Sequence, residues 1–283
     1  MDLREYLSPY GITLTGVLSL ADCRIQKSYL LERAGFDSEQ TAGVFVQLFA
    51  VPYLTRAAES EERNLSAYAV SEDYHLFMQN LYHDLLPRLR ADFPGHRFAA
   101  FVDHSPIDEI SAAVDAGMGV RGRNHLLLTE RYSSYVFLGE IITDLPLIPT
   151  PSVLPPAQRV CHNCGACLAA CPMLTEGGEC RSAITQKKQL TAEEQEIVAR
   201  FDSVWGCDIC QEVCPYTSHA KKRGTIYTDI PFFCQAAIPH LSLKVLDSMT
   251  DEVFSHRAYA WRGREVIHRN LVIKQTHSQG KED

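Results

Sequence analysis

No stretch of this chain approaches the roughly 18 uninterrupted apolar residues that a membrane-spanning helix needs. The N-terminus, Met1-Asp-Leu-Arg-Glu, lacks the charged-then-apolar pattern of a secretory signal. Basic residues are also in short supply: 27 Lys plus Arg stand against 35 Asp plus Glu, for a formal net charge of −8. That balance excludes a global basic field for nucleic acid. The local clusters Lys187-Lys188, Lys221-Lys222-Arg223 and Arg262, Arg264 and Arg269 read, taken singly, as solvated faces. With no secretion signal, the 10 cysteines do not read as a disulfide framework. The expected compartment is the reducing cytoplasm, with no membrane as partner. The 283 residues, 46% hydrophobic and 22% charged, allow one large domain or two of moderate size.

What is present is a ladder of cysteines. Cys161-His-Asn-Cys164-Gly-Ala-Cys167-Leu-Ala-Ala-Cys171-Pro172 is followed by Cys207-Asp-Ile-Cys210-Gln-Glu-Val-Cys214-Pro215. The first run has the C-x2-C-x2-C-x3-C-P spacing of a bacterial ferredoxin, in which the fourth cysteine ligates the other cluster. The proline after it turns the chain out of the site. Two four-iron clusters need eight thiolates, and the second run supplies one too few. The eighth has to come from Cys23, Cys180 or Cys234. Cys180 lies between the runs, beside Gly177-Gly178, where backbone can approach closely, and is the preferred ligand. Cys23 and Cys234 then read as ordinary buried thiols. The expected sharing is Cys161, Cys164, Cys167 and Cys214 on one [4Fe-4S] cluster, and Cys171, Cys180, Cys207 and Cys210 on the other. Closed tetrahedral zinc sites fit this spacing poorly.

The fold class expected is α+β. Residues 1–150 read as a mixed α/β domain, 157–224 as a ferredoxin-like two-cluster domain and 225–283 as a short helical tail. Gly43–Val51, Phe98–Val102, Asn124–Thr129 and Tyr135–Ile142 have the β-branched and aromatic content of strands. Leu76–Leu89 and Ile107–Ala116 repeat apolar residues at helical spacing. Pro146, Pro149, Pro151, Pro155 and Pro156 mark a linker. Helices are expected around Leu241–Phe254 and Val266–Ile273, and the last ten residues, being polar, are expected to fray. Gly117-Met-Gly119-Val-Arg-Gly122 matches G-x-G-x-x-G, with Glu140 at about the distance of a ribose-binding acid. The dinucleotide fingerprint needs a strand before and a helix after. Here a helical pattern precedes and an apolar strand follows, so the loop reads as one that brings backbone close to some other large ligand.

With the ladder in place, the remaining motifs resemble the epoxyqueuosine reductase family. Val102-Asp103-His-Ser-Pro106-Ile-Asp-Glu109 is similar to that family's V-D-T-A-P-V-L-E, and Ala116-Gly-Met-Gly-Val-Arg-Gly122-Arg123-Asn124 to its A-G-L-G-W-I-G-K-N. Phe137-Leu-Gly-Glu140-Ile-Ile-Thr143-Asp144 resembles F-L-G-E-I-L-T-D, and Trp205-Gly-Cys207-Asp-Ile-Cys210-Gln-Glu-Val-Cys214-Pro215 resembles W-G-C-D-I-C-Q-x-V-C-P-W. Tyr68-Ala and Asp73-Tyr74-His75 sit where the family has Y-A and D-Y-H. The motifs run in order from about residue 40 to residue 272.

The resemblance implies a cobalamin-dependent enzyme with two [4Fe-4S] clusters, reducing epoxyqueuosine to queuosine in the tRNA anticodon and related to reductive dehalogenases. It implies residues 1–150 as the corrinoid-binding domain and Asp103 as proton donor. It implies contacts to the corrinoid from Gly119, Gly122, Arg123, Asn124 and His125. The partners implied are a tRNA anticodon stem-loop and an external electron donor of flavodoxin or ferredoxin type. The sequence has no D-x-H-x-x-G to supply a histidine to cobalt. Arg123 replaces the family's lysine, His104 its threonine and Ile110 its arginine, which leaves substrate identity open. Ala260-Trp-Arg-Gly-Arg264-Glu-Val-Ile-His-Arg269-Asn270-Leu resembles the segment that leads into HEAT-like repeats, which this chain does not carry. That weakens the tRNA partner, unless the basic tail serves instead. The alternatives are a paralogue acting on a different small substrate and a ferredoxin-type electron carrier. A carrier needs no 150-residue domain bearing Asp103.

Overall fold

The computed structural model describes residues 2–175 and 178–279. Six strands are assigned among them: β1 (Leu14–Ser19), β2 (Phe45–Pro52), β3 (Phe98–Phe101), β4 (Val120–Arg121), β5 (Leu127–Leu128) and β6 (Val136–Thr143). The chain folds as two compact units. The first comprises Met1–Pro52, Phe77–Cys164 and Pro215–Ile226; the second comprises Tyr53–Leu76, Gly165–Cys214 and Tyr227–Asp283.

In the first unit four strands form one sheet in the order β1-β2-β6-β3, every pair antiparallel. β2 and β6 occupy the centre, and Val46, Leu48, Phe49, Ile141 and Ile142 are fully buried. Each such side chain contributes about 1.5–3 kcal/mol by leaving water. The helix Tyr74–Asp92 buries Phe77, Met78, Leu81, Leu85 and Leu89, the stripe that its periodicity indicates. Helices beside an antiparallel sheet make the fold α+β, as expected. β1 was not expected, because Gly16 interrupts its apolar run. The glycine is needed there: a Cβ would lie 2.7 Å from Ala116 Cβ and 2.9 Å from Ala116 O.

The glycine-rich loop is accounted for locally. Gly117, at φ +76°, ends the helix Glu109–Asp115, with Met118 N–H donating to Ala113 O and Gly117 N–H to Val114 O. β4 and β5 then form a hairpin, and Gly119 lets them close: a Cβ would sit 2.5 Å from Leu128 O. The expected strand Asn124–Thr129 shrinks to Leu127–Leu128, because Gly122 N–H donates to Leu126 O and His125 takes φ +64° in the turn. A helix precedes this loop and a strand follows it, the reverse of the dinucleotide-binding order.

The second unit is mostly helical. Helix Arg264–Gln279 packs on Ala192–Arg200, and Ile273 joins a small core of Met173, Ile184 and Val198. The single helix expected over Leu241–Phe254 is two, Leu243–Ser248 and Asp251–Ser255. Met249 is extended between them, and the Thr250 hydroxyl caps the second by accepting from Val253 N–H. The last helix runs on to Gln279, through much of the segment expected to fray; 280–283 and Gly177 lie outside the described residues. No helix among the described residues is long and apolar enough to cross a membrane.

Because the Leu128 carbonyl cannot move away without breaking the β4–β5 hairpin, Gly119→Ala is expected to lower stability by about 1–3 kcal/mol. Chemical unfolding monitored by circular dichroism measures it.

Candidate active site and cluster loops

Asp103 lies just past the end of β3, exposed, at φ +56°. His104 N–H donates to Val102 O across it at 2.5 Å, which makes a three-residue turn of the strained hand. His104 is held from both sides. Lys27 Nζ lies 3.2 Å from Nδ1 and Tyr29 Oη 2.9 Å from Nε2. A protonated lysine can only donate, so Nδ1 accepts from Lys27 and Nε2 donates to Tyr29.

Behind the turn are two carboxyls whose roles the sequence motifs leave unassigned. Glu140, on β6 between Leu48 of β2 and Phe101 of β3, is fully buried. Glu109 opens the helix that follows the turn, and its carboxyl accepts the Asp103 N–H. The two carboxyl groups lie within hydrogen-bonding reach of each other. Burial pushes Glu109 up to about 7, and the Asp103 charge adds to the rise. Burial first, then the Glu109 charge, holds Glu140 well above the usual carboxylate range. Their presence had one sequence signal, a lone acid inside the apolar run Phe137–Ile142.

The loop expected to meet a cofactor adjoins the first cysteines. Cys161 N–H donates to Arg121 O, and Arg123 Nη1 donates to Asn163 Oδ1 at 2.8 Å. Arg123 and His125 are exposed. Asn124 Nδ2 is buried and meets no acceptor among the described residues, a donor suited to the amide carbonyls on the edge of a corrinoid. Among the described residues, no backbone N–H from His162 to Cys167 donates to a backbone carbonyl. Asn163 and Gly165 both take positive φ there. Such a run of unpaired N–H groups suits the sulfides of an anionic cluster. His162 stacks on Tyr216, with ring centroids 5.4 Å apart.

In the second unit the helix Ala166–Ala169, which carries Cys167, packs on Ile209–Glu212, which carries Cys210. Asp208, between Cys207 and Cys210, is buried and accepts from Arg63 Nη1 and Ser66 Oγ at 2.6 Å and from Ala67 N–H at 2.7 Å. Asn270 Nδ2 donates to Thr185 O and Val204 O, tying the last helix to the segment before Cys207. Arg181, next to Cys180, is 3% exposed, and its guanidinium faces the Cys207 sulfur. Burial pushes the Cys207 thiol up, while Ile209 N–H and Arg181 favour its thiolate. Both residues line a cleft of about 240 Å³.

Cys180 is exposed at the start of helix Arg181–Thr185, Cys164 is also exposed, Cys171 is half-buried and Cys214 is buried. Burial pushes Cys23 up to about 12, and such a thiol is a poor iron ligand. Cys234, expected to be buried, is exposed at the end of Pro231–Cys234, because that helix stops after one turn. The arginines of the tail are engaged within the unit. Arg264 donates to Leu246 O and Met249 O, Arg269 to Lys188 O, and Arg262 lies over the Trp261 ring. This corrects the reading of Arg264 and Arg269 as a solvated basic tail.

Residues 160–219 match a family model described as a 4Fe-4S dicluster domain. An epoxyqueuosine reductase of Listeria monocytogenes is 34% identical over 209 residues, 71% of this chain and 54% of the relative. One from Leadbetterella byssophila is 30% identical over 222 residues, 75% of this chain and 68% of the relative. The chain thus spans about half the length of several curated relatives that it matches. An epoxyqueuosine reductase solved with an epoxyqueuosine-modified tRNA-Tyr stem loop superposes with a TM-score of 0.74. It is 24% identical, over 97% of this chain and 80% of that one, a likeness of fold.

Two outcomes follow from these charges. A buried cation beside a cluster sulfur favours the more negative, reduced cluster. With iron content unchanged, Arg181→Met should lower one of two midpoint potentials by on the order of 60 mV, a tenfold shift in a one-electron equilibrium. Potentiometry followed by electron paramagnetic resonance reads it. Glu109 binds its proton more tightly folded than unfolded. Its stabilising contribution is therefore full below its ordinary value of 4.5 and is lost as pH rises through about 7. The slope is at most about 1.4 kcal/mol per pH unit. Urea unfolding across that window should show the decline in the wild type and a flatter profile in Glu109→Gln.

Proposed function

The chain belongs to the epoxyqueuosine reductase family, and from that membership we propose that it removes the epoxide oxygen of epoxyqueuosine in tRNA to give queuosine. The observation that carries this reading is the Asp103 turn, an exposed carboxyl on strained backbone with two buried carboxyls behind it. It lies on the same chain as a dicluster domain. In this reading Cys161, Cys164, Cys167 and Cys214 hold one cluster, and Cys171, Cys180, Cys207 and Cys210 hold the other. Gly119, Gly122, Arg123, Asn124 and His125 meet the corrinoid. When bound, the clusters would pass electrons singly to the corrinoid, and the corrinoid would supply the two reducing equivalents that the epoxide consumes.

The protein's own part is protonation. Expelling an alkoxide without a proton is costly, and a positioned donor is worth about 100-fold to 10,000-fold. Asp103 is that donor. His104, held by Lys27 and Tyr29, borders the donor where the family has threonine and shapes what approaches it. The electrons come from a flavodoxin- or ferredoxin-type donor, in a cytoplasm that keeps the ligand thiols reduced. The substrate partner is the tRNA anticodon stem-loop.

Anaerobically reconstituted protein, with cobalamin and reductant, is expected to convert epoxyqueuosine-containing tRNA to queuosine-containing tRNA, read by mass spectrometry of the nucleosides. Asp103→Asn should slow turnover at least 100-fold with iron and cobalamin content unchanged. No queuosine from protein that holds both cofactors would reject the tRNA assignment. Turnover of the free nucleoside in its place would move the proposal to the small-substrate paralogue.

A further inference from the structure

Four carboxylate oxygens meet behind the Asp103 turn, and the protein offers them few donors. Among the described residues, neither oxygen of Glu140 receives a well-formed hydrogen bond, and Glu109 Oε1 receives none. Glu109 does accept the backbone N–H of Asp103. The Ser105 hydroxyl accepts Ile107 N–H and is the one side-chain O–H near enough to ease the Glu140 charge, a single donor for two oxygens. From the long helix, the Tyr82 hydroxyl donates to Phe101 O at 2.6 Å. From the segment after β1, Cys23 Sγ reaches Ser19 O. Lys27 is the cation that acts on Glu109, and its ammonium is also bound to His104. Asp103, in front, adds a further negative charge.

Two ionised carboxylates packed in this way bring acceptors to each other and no donor, at a fully buried strand position where unpaired charge is most costly. One proton changes the balance. It turns one carboxyl into a donor for the other and removes a like-charge contact.

The proposed reaction gives that proton a use. Opening the epoxide to an alkene breaks two C–O bonds, forms one C=C bond and releases the oxygen as water. It consumes two electrons, which the clusters deliver, and two protons. One aspartic acid holds only one. We propose that Glu109 and Glu140 share a single proton and form the site's second proton donor, seated behind Asp103 and replenishing it. The stoichiometry rests on the proposed function; the shared proton does not.

The pair is tested first on the resting, cluster-loaded protein by infrared spectroscopy of the protonated carboxyl C=O band, with and without ¹³C-labelled glutamate. The band should persist far above the usual glutamate value of about 4.3. It should shift on labelling and persist through neutral pH, because burial and the neighbouring Glu109 charge hold Glu140 well above the usual carboxylate range. It should be lost in Glu109→Gln and in Glu140→Gln alike, because the amide then supplies the missing donor. Absence of a label-sensitive band overturns the pair, and the wild-type measurement stands even if a variant fails to fold. Donor function is tested by turnover against pH. Glu140→Gln should lose at least tenfold above neutrality and less in acid, where water-borne protons substitute, whereas Asp103→Asn loses at every pH. Equal loss at all pH values, or none, overturns the donor role. If the wild type shows the band but does not act on epoxyqueuosine, the function has failed and the shared proton has not.

Discussion

A buried carboxylate short of donors is among the most costly arrangements a protein can hold, and the first unit of this chain contains two side by side. Glu140 has no route to water from the centre of the sheet, and Glu109 is anchored by the Asp103 N–H at the start of its helix. Their mutual placement forces a proton into the protein, and the surrounding structure follows from that. The Asp103 backbone is drawn toward Glu109, which helps to hold it at positive φ. The strained turn in turn leaves the Asp103 side chain exposed at the end of β3.

The cluster loops solve a different problem. The helices that carry Cys167 and Cys210 are single turns, too short for their own ladders to fix the thiolates. Buried polar side chains do this instead. Asp208 gathers Arg63, Ser66 and the Ala67 N–H around the second cysteine run, and Asn270 reaches two carbonyls beside it. Loss of either partner would leave buried polar groups unpaired, at about 1–3 kcal/mol each. Arg181 adds charge where an electron would rest, because its guanidinium is too buried to be screened by solvent.

Strands β2 and β6 and the long helix were legible because burial on one or both faces writes itself into local periodicity. β1 was not, because Gly16 answers to Ala116, a residue on another element. The glycines of the G-x-G-x-x-G match carried too little information in the other direction. Gly117 ends a helix and Gly119 admits a neighbouring carbonyl, and both demands are invisible without their partners. Arg264 and Arg269 looked available to phosphate in the sequence, yet carbonyls from distant segments occupy them.

The sequence by itself determined the two cysteine runs, Cys161–Cys171 with ferredoxin spacing and Cys207–Cys214 after it, an aspartate at a strand end, and the order of motifs that marks the family. Those are matters of residue type and spacing along the chain, which folding does not alter. Only the tertiary structure decided which side chains share a proton or a charge. Glu109 and Glu140 become a pair, Arg181 comes to face Cys207, and Cys23 becomes a protonated thiol, because burial and proximity arise from packing between segments far apart in sequence. Desolvation and like-charge contact then set their chemistry.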